Sequence, residues 1–429
     1  MILLNWFTIE DRDWRELLLI ILAALFVGSG SLALSLARLG TIAWQHLWAP
    51  LVWFVLLLGA HGLLRYHHIN RDPFLLPLVG LLTGWGLIML DRLAANFLAR
   101  QVVWLGLATA VMLFIAIVPR DLRLLRRYRY TWLFGGLLLL AATLLFGVNP
   151  SGYGATLWLK LPFMGQIFFQ PSELLKLLLV VFLASYFDER QQLLKLGRRR
   201  GWLATMPYLA PLLLMWGFCF ILLVWQRDLG AAALFFILFL ALLYLATGDG
   251  RYLIGGFFML LLAGVFGYYA YDVVALRVDA WLNPWPDADN RAYQIVQSLH
   301  ALAAGGLIGT GIGQGFPNYI PVVHSDFVFA AIAEEFGLVG GLGLIACFGL
   351  LAYRGLRIAA LARRPFHAYL ATGIVILFSI QSLMIIGGVT KLLPLTGVTL
   401  PFVSYGGSSL LIAGVMSGLL LHLSANGIE

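Results

Sequence analysis

Pro321-Val-Val-His-Ser-Asp-Phe-Val-Phe-Ala-Ala-Ile-Ala-Glu-Glu-Phe-Gly-Leu-Val-Gly340 decides how the chain is read. It brings one carboxylate, Asp326, to the end of a long loop and then becomes an apolar helix holding two more, Glu334 and Glu335. Acidic groups in so apolar a segment are expensive in hydrocarbon and are kept for pairing or for function. The rest of the composition agrees. Of 429 residues, 61% are hydrophobic and 11% charged, the balance of an all-α polytopic membrane protein and not of a soluble domain. The net charge of +8 does not indicate nucleic acid, because the basic residues lie in short loops between apolar runs. Cys219 and Cys347 both fall within apolar runs, with no metal-ligand spacing and no sign of a disulfide.

Apolar runs long enough to span, or nearly so, fall at 17–37, 44–64, 74–90, 101–118, 131–148, 173–187, 204–225, 229–247, 252–272, 327–353, 367–389 and 402–423, predicting twelve helices. The first is too long for a signal sequence's core. The run 173–187 is short, so its ends are expected to reach into the preceding loop or to lie tilted in protein. Basic residues crowd alternate loops: Arg120, Arg123, Arg126, Arg127 and Arg129, then Arg190, Lys195 and Arg198–Arg200, then Arg354, Arg357, Arg363 and Arg364. By the positive-inside rule both termini are then cytoplasmic. Two long loops face outward, Asn149–Ser172 and Val273–Ser325. The second is too long for a mere connector. It contains Pro284, Pro286, Pro317 and Pro321, an amphipathic stretch Ala292–Ala304 expected to form a short helix, and a glycine cluster from Gly305 to Gly315. With no strand before it, that cluster is only a weak phosphate-loop signal.

Asp326 could cap the helix that follows it, or act as a general base or cation ligand at the outer mouth of a cavity; one residue could do both. Glu173 and Lys176, three apart after Pro171, share a helix face and are expected to neutralise each other, either orienting the helix or lining a cavity. Trp158 reads as an interfacial anchor. In Trp225-Gln-Arg-Asp-Leu-Gly230, Asp228 reads as an N-cap and Arg227 as an anion contact. Lys391–Ser409 carries Pro394, Gly397, Pro401, Gly406 and Gly407, so the helix is broken where protein or a watery cavity must surround the backbone. Close packing through small residues would also account for the glycines. Glu334 and Glu335, ~12 Å or more along the helix from Asp326 at ~1.5 Å per residue, read as structural.

Taken in order, Phe169-Gln-Pro-Ser-Glu173 with Lys176, Asp228-Leu-Gly230, Asn283-Pro284, Tyr293-Gln-Ile-Val-Gln-Ser298 with the glycine cluster, His324-Ser-Asp-Phe327 with Glu334-Glu335, and Leu393-Pro394 through Pro401-Phe-Val-Ser-Tyr-Gly-Gly-Ser-Ser409 resemble the SEDS family, the RodA/FtsW-like proteins of shape, elongation, division and sporulation. The resemblance runs from about residue 70 to the end. It divides the chain into an N-terminal extension with two predicted transmembrane helices, 1–69, and a ten-helix SEDS glycosyltransferase core, 70–429, with a large extracytoplasmic loop at 273–326.

The resemblance implies an enzyme that polymerises lipid II into peptidoglycan glycan strands at the outer face of the cytoplasmic (inner) membrane, during elongation or division. Asp326 matches the family's essential loop aspartate, Glu173 and Lys176 its buried ion pair, and Trp158 a functional loop tryptophan. His324, Ser325 and Ser404 fall within the matched motifs and are expected at the substrate cavity. The chain departs from the family's habits at Leu157, Arg227, Ser325, Ile385 and Lys391; Arg227 and Lys391 are expected to replace lost basic groups that hold pyrophosphate. No cofactor is evident, although a Mg or Mn ion could assist the pyrophosphate. The implied partners are a class B penicillin-binding protein (a transpeptidase) and an elongation or division complex. A lipid II flippase would share the broken helices and buried charges, but no internal repeat is visible. A non-catalytic scaffold would have no need of Asp326.

Overall fold

The computed structural model describes residues 9–67, 69–149, 156–160, 168–200 and 202–426. In chain order its helices are α1 (Ile9–Leu39), α2 (Trp44–Tyr66), α3 (Leu75–Ala94), α4 (Leu98–Ile117), α5 (Arg123–Arg127), α6 (Arg129–Phe146), α7 (Pro171–Arg200), α8 (Trp202–Trp225), α9 (Leu229–Thr247), α10 (Arg251–Ala270), α11 (Asp272–Leu282), α12 (Tyr293–Gly305), α13 (Val328–Leu361), α14 (Pro365–Val389) and α15 (Gly407–Asn426). Each of the twelve apolar runs carries a helix. Among the described residues nine helical stretches are long and apolar enough to cross a membrane, one of them, Leu75–Ile117, holding both α3 and α4; Leu212–Trp225 in α8 is a shorter apolar helix.

Three expectations need correction. The short run 173–187 belongs to a helix that starts at Pro171 and gains its length beyond the run, into the basic stretch ending at Arg200. The outer loop Asn149–Ser172 supplies two strands of a small antiparallel sheet, β1 (Gly147–Val148), β2 (Trp158–Lys160) and β3 (Phe168–Phe169), in the order β1-β2-β3. The rest of that loop, 150–155 and 161–167, lies outside the described residues. The loop Val273–Ser325 holds α11 as well as the expected α12.

The chain forms two compact units: Met1–Pro119 with Leu276–Arg357 and Gln381–Glu429, and Arg120–Ala275 with Ile358–Ile380. In the second, α7 is the centre. Its run from Leu175 to Phe187 is buried throughout, and it packs on α6, α8 and α9. Gln226 holds α6 by donating to Leu140 O and Thr143 Oγ1, both at 2.7 Å.

In the first unit α15 lies against α4 because small residues let the backbones meet. A Cβ on Gly414 would come within 2.7 Å of Ala108 O, and one on Gly418 within 2.6 Å of Met112 O. α1 and α2 pack on each other and on α3. Their charges are satisfied locally: Glu16 meets His61 Nδ1 at 2.7 Å and Arg71 Nε at 2.9 Å. Asp72, at the start of α3, pairs with Arg354 of α13, while its amide donates to Ser424 Oγ of α15 at 3.1 Å.

α13 is not continuous. Gly337 has φ 68° and ψ −168°, outside the helical region. The glycine-rich segment after α12 docks into this break. Thr310 N and Gly311 N donate to Glu334 O and Glu335 O at 2.9 and 3.0 Å, while Leu338 N and Val339 N donate to Gly306 O and Leu307 O at 2.9 and 3.1 Å. The glycine cluster is thus a backbone-to-backbone joint. Gly309, at φ +87°, would place a Cβ 2.3 Å from Glu335 O. Gly309→Ala is expected to destabilise the protein by about 2–3 kcal/mol through backbone strain and overlap. Gly343→Ala, where a Cβ meets nothing within 4 Å, should be near neutral. Thermal unfolding in detergent measures both.

Candidate functional site

Residues 321–327 and 391–406 are non-helical stretches of the first unit that clasp each other. Tyr405 N donates to His324 O at 2.9 Å, and Ser404 Oγ to Ser325 O at 2.5 Å. Ser404 Oγ in turn accepts Leu400 N at 2.9 Å, which tightens its own turn. Each stretch contains a bulky residue in the left-handed region, Val322 at φ 56° and Phe402 at φ 67°. Such conformations are costly and persist only where the surroundings over-determine them. Phe97, in a 3-10 turn Ala95–Phe97, stacks on Tyr405 with centroids 4.8 Å apart and lies 5.3 Å from the His324 ring.

α11 holds the second stretch from another side. It ends at Asn283-Pro284, where the residue before proline is pushed out of helical geometry. Arg277 and Trp281, four apart on one face, both reach main-chain carbonyls: Arg277 Nη1 donates to Thr396 O and Trp281 Nε1 to Lys391 O, each at 3.2 Å.

Asp326 sits in this frame, half-buried. Of the roles left open by the sequence, capping is not realised. α13 begins at Val328, and Ala330 N and Ala331 N turn to Phe327 O at 2.9 and 3.3 Å, so Phe327 occupies the cap position. Gly397, at φ +73°, leaves room between Asp326 and Arg277. A Cβ there would lie 3.4 Å from Arg277 Nη2 and 3.7 Å from Asp326 Oδ2. Burial pushes the Asp326 carboxyl above its ordinary pKa, while the Ser325 hydroxyl and the Arg277 charge work against that rise. Burial lowers the His324 pKa, which favours the neutral ring. The result is a carboxyl whose charge burial disfavours and a nearby guanidinium restores, in a frame with an aromatic wall, an arrangement suited to taking a proton from a hydroxyl.

Glu334 and Glu335 are structural, as their place down the helix suggested. Glu334 Oε1 accepts Phe316 N at 2.7 Å, and Glu335 Oε1 accepts Arg92 Nε at 2.8 Å.

The second unit carries a separate charged group. Lys176 Nζ lies 2.6 Å from Glu173 Oε2, both buried. Asp228 caps α9 by accepting Ala231 N at 3.1 Å, as its sequence position indicated. Burial raises the Asp228 pKa; the Ala231 amide, then Lys176 and Ser172 oppose that. Its association with Lys176 was not legible, since the two are far apart in sequence. Trp158 lies half-buried on β2. Arg227 is exposed in this unit and Lys391 half-buried in the first, both at φ 61°.

Sequence reasoning passed over Arg277, Phe97 and Tyr405. The spacing of Arg277 and Trp281 in a segment treated as loop was the signal available. Among the described residues no three His, Cys, Asp or Glu side chains gather as metal ligands.

Comparison with known proteins agrees over most of the length. The chain is 35% identical over 433 residues to a Mycobacterium tuberculosis protein named peptidoglycan glycosyltransferase RodA, covering 97% of this chain and 91% of that one. It is 38% identical over 331 residues to a Geobacter sulfurreducens protein named probable peptidoglycan glycosyltransferase FtsW, covering 76% and 85%. A chain of a peptidoglycan synthase complex that coordinates polymerization and crosslinking superposes with a TM-score of 0.70 at 29% identity, covering 83% of this chain and 98% of that one. The Thermus thermophilus rod shape determining protein RodA superposes with a TM-score of 0.60 at 27% identity, covering 84% and 98%. Residues 74–428, from the start of α3 to the C-terminal end, match the family FTSW_RODA_SPOVE, described as cell cycle protein, and the chain belongs to that family.

Proposed function

We propose that this chain is a peptidoglycan glycosyltransferase that polymerises lipid II during elongation or division, with Asp326 as its general base. The observation that carries the assignment of Asp326 is its release from capping: Phe327 takes the cap position of α13, and the Asp326 carboxyl lies beside Gly397 and Arg277 instead. In the reaction Asp326 takes the proton of the acceptor sugar's 4-hydroxyl as that oxygen attacks the donor's anomeric carbon. The bond from the anomeric carbon to the pyrophosphate oxygen breaks, and undecaprenyl pyrophosphate leaves. General-base assistance of this kind contributes ~10²–10⁴-fold. Charge developing on the leaving group needs fixed positive partners, and Lys391, anchored through its carbonyl to α11, is proposed as one. Arg227 is proposed as an anion contact of the second unit. A Mg or Mn ion would be carried by pyrophosphate oxygens and water, as Mg commonly is in phosphate chemistry.

The basic loops support a multi-pass protein of the cytoplasmic membrane with both termini inside and Asp326 on the outer side. The similarity to a chain of a peptidoglycan synthase complex supports a crosslinking partner, a class B penicillin-binding protein.

Four outcomes are expected from purified protein supplied with lipid II and the cognate transpeptidase, with strands separated by gel. Asp326→Asn keeps the wild-type melting temperature and loses polymerisation by ~10²-fold or more; retained activity removes Asp326 as the base. The base must be ionised, so activity falls as pH drops through a carboxyl pKa that burial has raised. Arg277→Gln removes a charge favouring ionisation, and the acid limb of the pH–rate profile moves to higher pH; an unmoved limb would show that Arg277 does not tune Asp326. Excess EDTA slows the reaction, with Mg or Mn restoring it, if a divalent ion neutralises pyrophosphate; a rate indifferent to EDTA removes the ion.

A further inference from the structure

The first unit holds a recess of about 550 Å³, within the ~300–1,000 Å³ span of small-ligand sites. Its walls come from both parts of the chain. Arg38, Gln45, His46 and Trp48 belong to α1 and α2, before the family match begins, while Asp91 and Leu98 belong to α3 and α4.

The recess has built polar walls. His46 Nδ1 lies 2.7 Å from Asp91 Oδ2, and both residues are buried. Gln45 Nε2 lies 3.4 Å from His46 Nε2. With Nδ1 on the carboxylate and Nε2 on the amide, the orientation of the ring is set. The Arg38 guanidinium is turned to Arg92 O and stands opposite in charge to Asp91. One cation and one anion at the same recess disfavour a strongly charged ligand. Planar donors and acceptors beside the indole of Trp48 suit a neutral ligand with many hydroxyls and one apolar face.

One short turn links the recess to the frame around Asp326. Ala95, which lines it, begins the 3-10 turn whose third residue, Phe97, stacks on Tyr405 and approaches His324. Resting on the transferase reading above, we propose that this recess is a saccharide subsite, binding β-1,4-linked amino-sugar units of the glycan strand beside the reaction centre. The N-terminal pair of helices then contributes directly to handling the polymer.

The test uses the full chain in nanodiscs and chitotetraose, a neutral β-1,4-linked N-acetylglucosamine tetramer, as the probe. Calorimetry is expected to show binding that persists in Asp326→Asn and weakens about tenfold in Trp48→Ala with loss of the aromatic face. Gln45→Ala, at an exposed side chain that leaves the core untouched, weakens it as well and covers the case in which Trp48→Ala fails to fold. In the lipid II assay both variants give shorter strands. A wild type that forms strands but binds no tetramer, or variants matching it in binding and strand length, overturns the subsite and leaves the transferase reading standing. Phosphatidylglycerol retained by wild type and lost in Trp48→Ala, without tetramer binding, assigns the recess to a lipid headgroup and likewise overturns it. A wild type that forms no strands even with its transpeptidase overturns the transferase reading, and the subsite's role with it.

Discussion

A helix broken at membrane depth must find new partners for the backbone groups it releases, because hydrocarbon offers none. α13 breaks at Gly337, and four hydrogen bonds from the segment after α12 answer the groups on either side. Each such group left unmet would cost about 1–3 kcal/mol. That requirement explains why the segment is so rich in glycine: the backbones approach too closely for a Cβ at Gly305 or Gly309. The joint also has consequences further along the chain. α12 is tied at Ser298 Oγ to Val389 O at 3.2 Å, and Phe316 N is tied to Glu334 at 2.7 Å. The residues leading to Asp326 therefore set out from a rigid base.

Buried charges follow the same logic by different means. Arg92 answers Glu335 and also donates to Gly315 O at 2.8 Å, so one guanidinium binds α3, α13 and the glycine segment together. Glu16 of α1, His61 of α2 and Arg71, just before α3, close a similar account. Breaking such pairs leaves an uncompensated charge, which is why they stay together. Asp326 differs in kind. Burial disfavours its charge, and Ser325 and Arg277 moderate its ionisation without closing an ion pair of the kind that holds Glu335 or Glu16.

Much of this was legible in the sequence. The apolar runs mark the spans, because length and hydropathy leave few other structures available in a bilayer. The pairing of Glu173 with Lys176 follows from a three-residue spacing, and the cap formed by Asp228 from its position before an apolar run. What stayed hidden depends on contacts between distant segments. Nothing local announces that Arg277 reaches Thr396, that Arg92 reaches Glu335, or that Phe97 meets Tyr405. The small sheet at β1–β3 was hidden because its strands are two or three residues long, too short for an alternating pattern. The break in α13 was hidden because Gly337 is one of several glycines in an apolar helix, where such residues usually signal close packing.

The clasp around Asp326 is made almost wholly to main-chain acceptors: His324 O, Ser325 O, Lys391 O and Thr396 O. Peptide carbonyls are the same whatever side chain they carry. The hydrogen bonds of the clasp therefore do not consume the side chains of residues 324, 325, 391 and 396, which are left to serve the site. Frame and chemistry are thus divided within the same residues: the carbonyl fixes the loop, and the side chain faces the reaction.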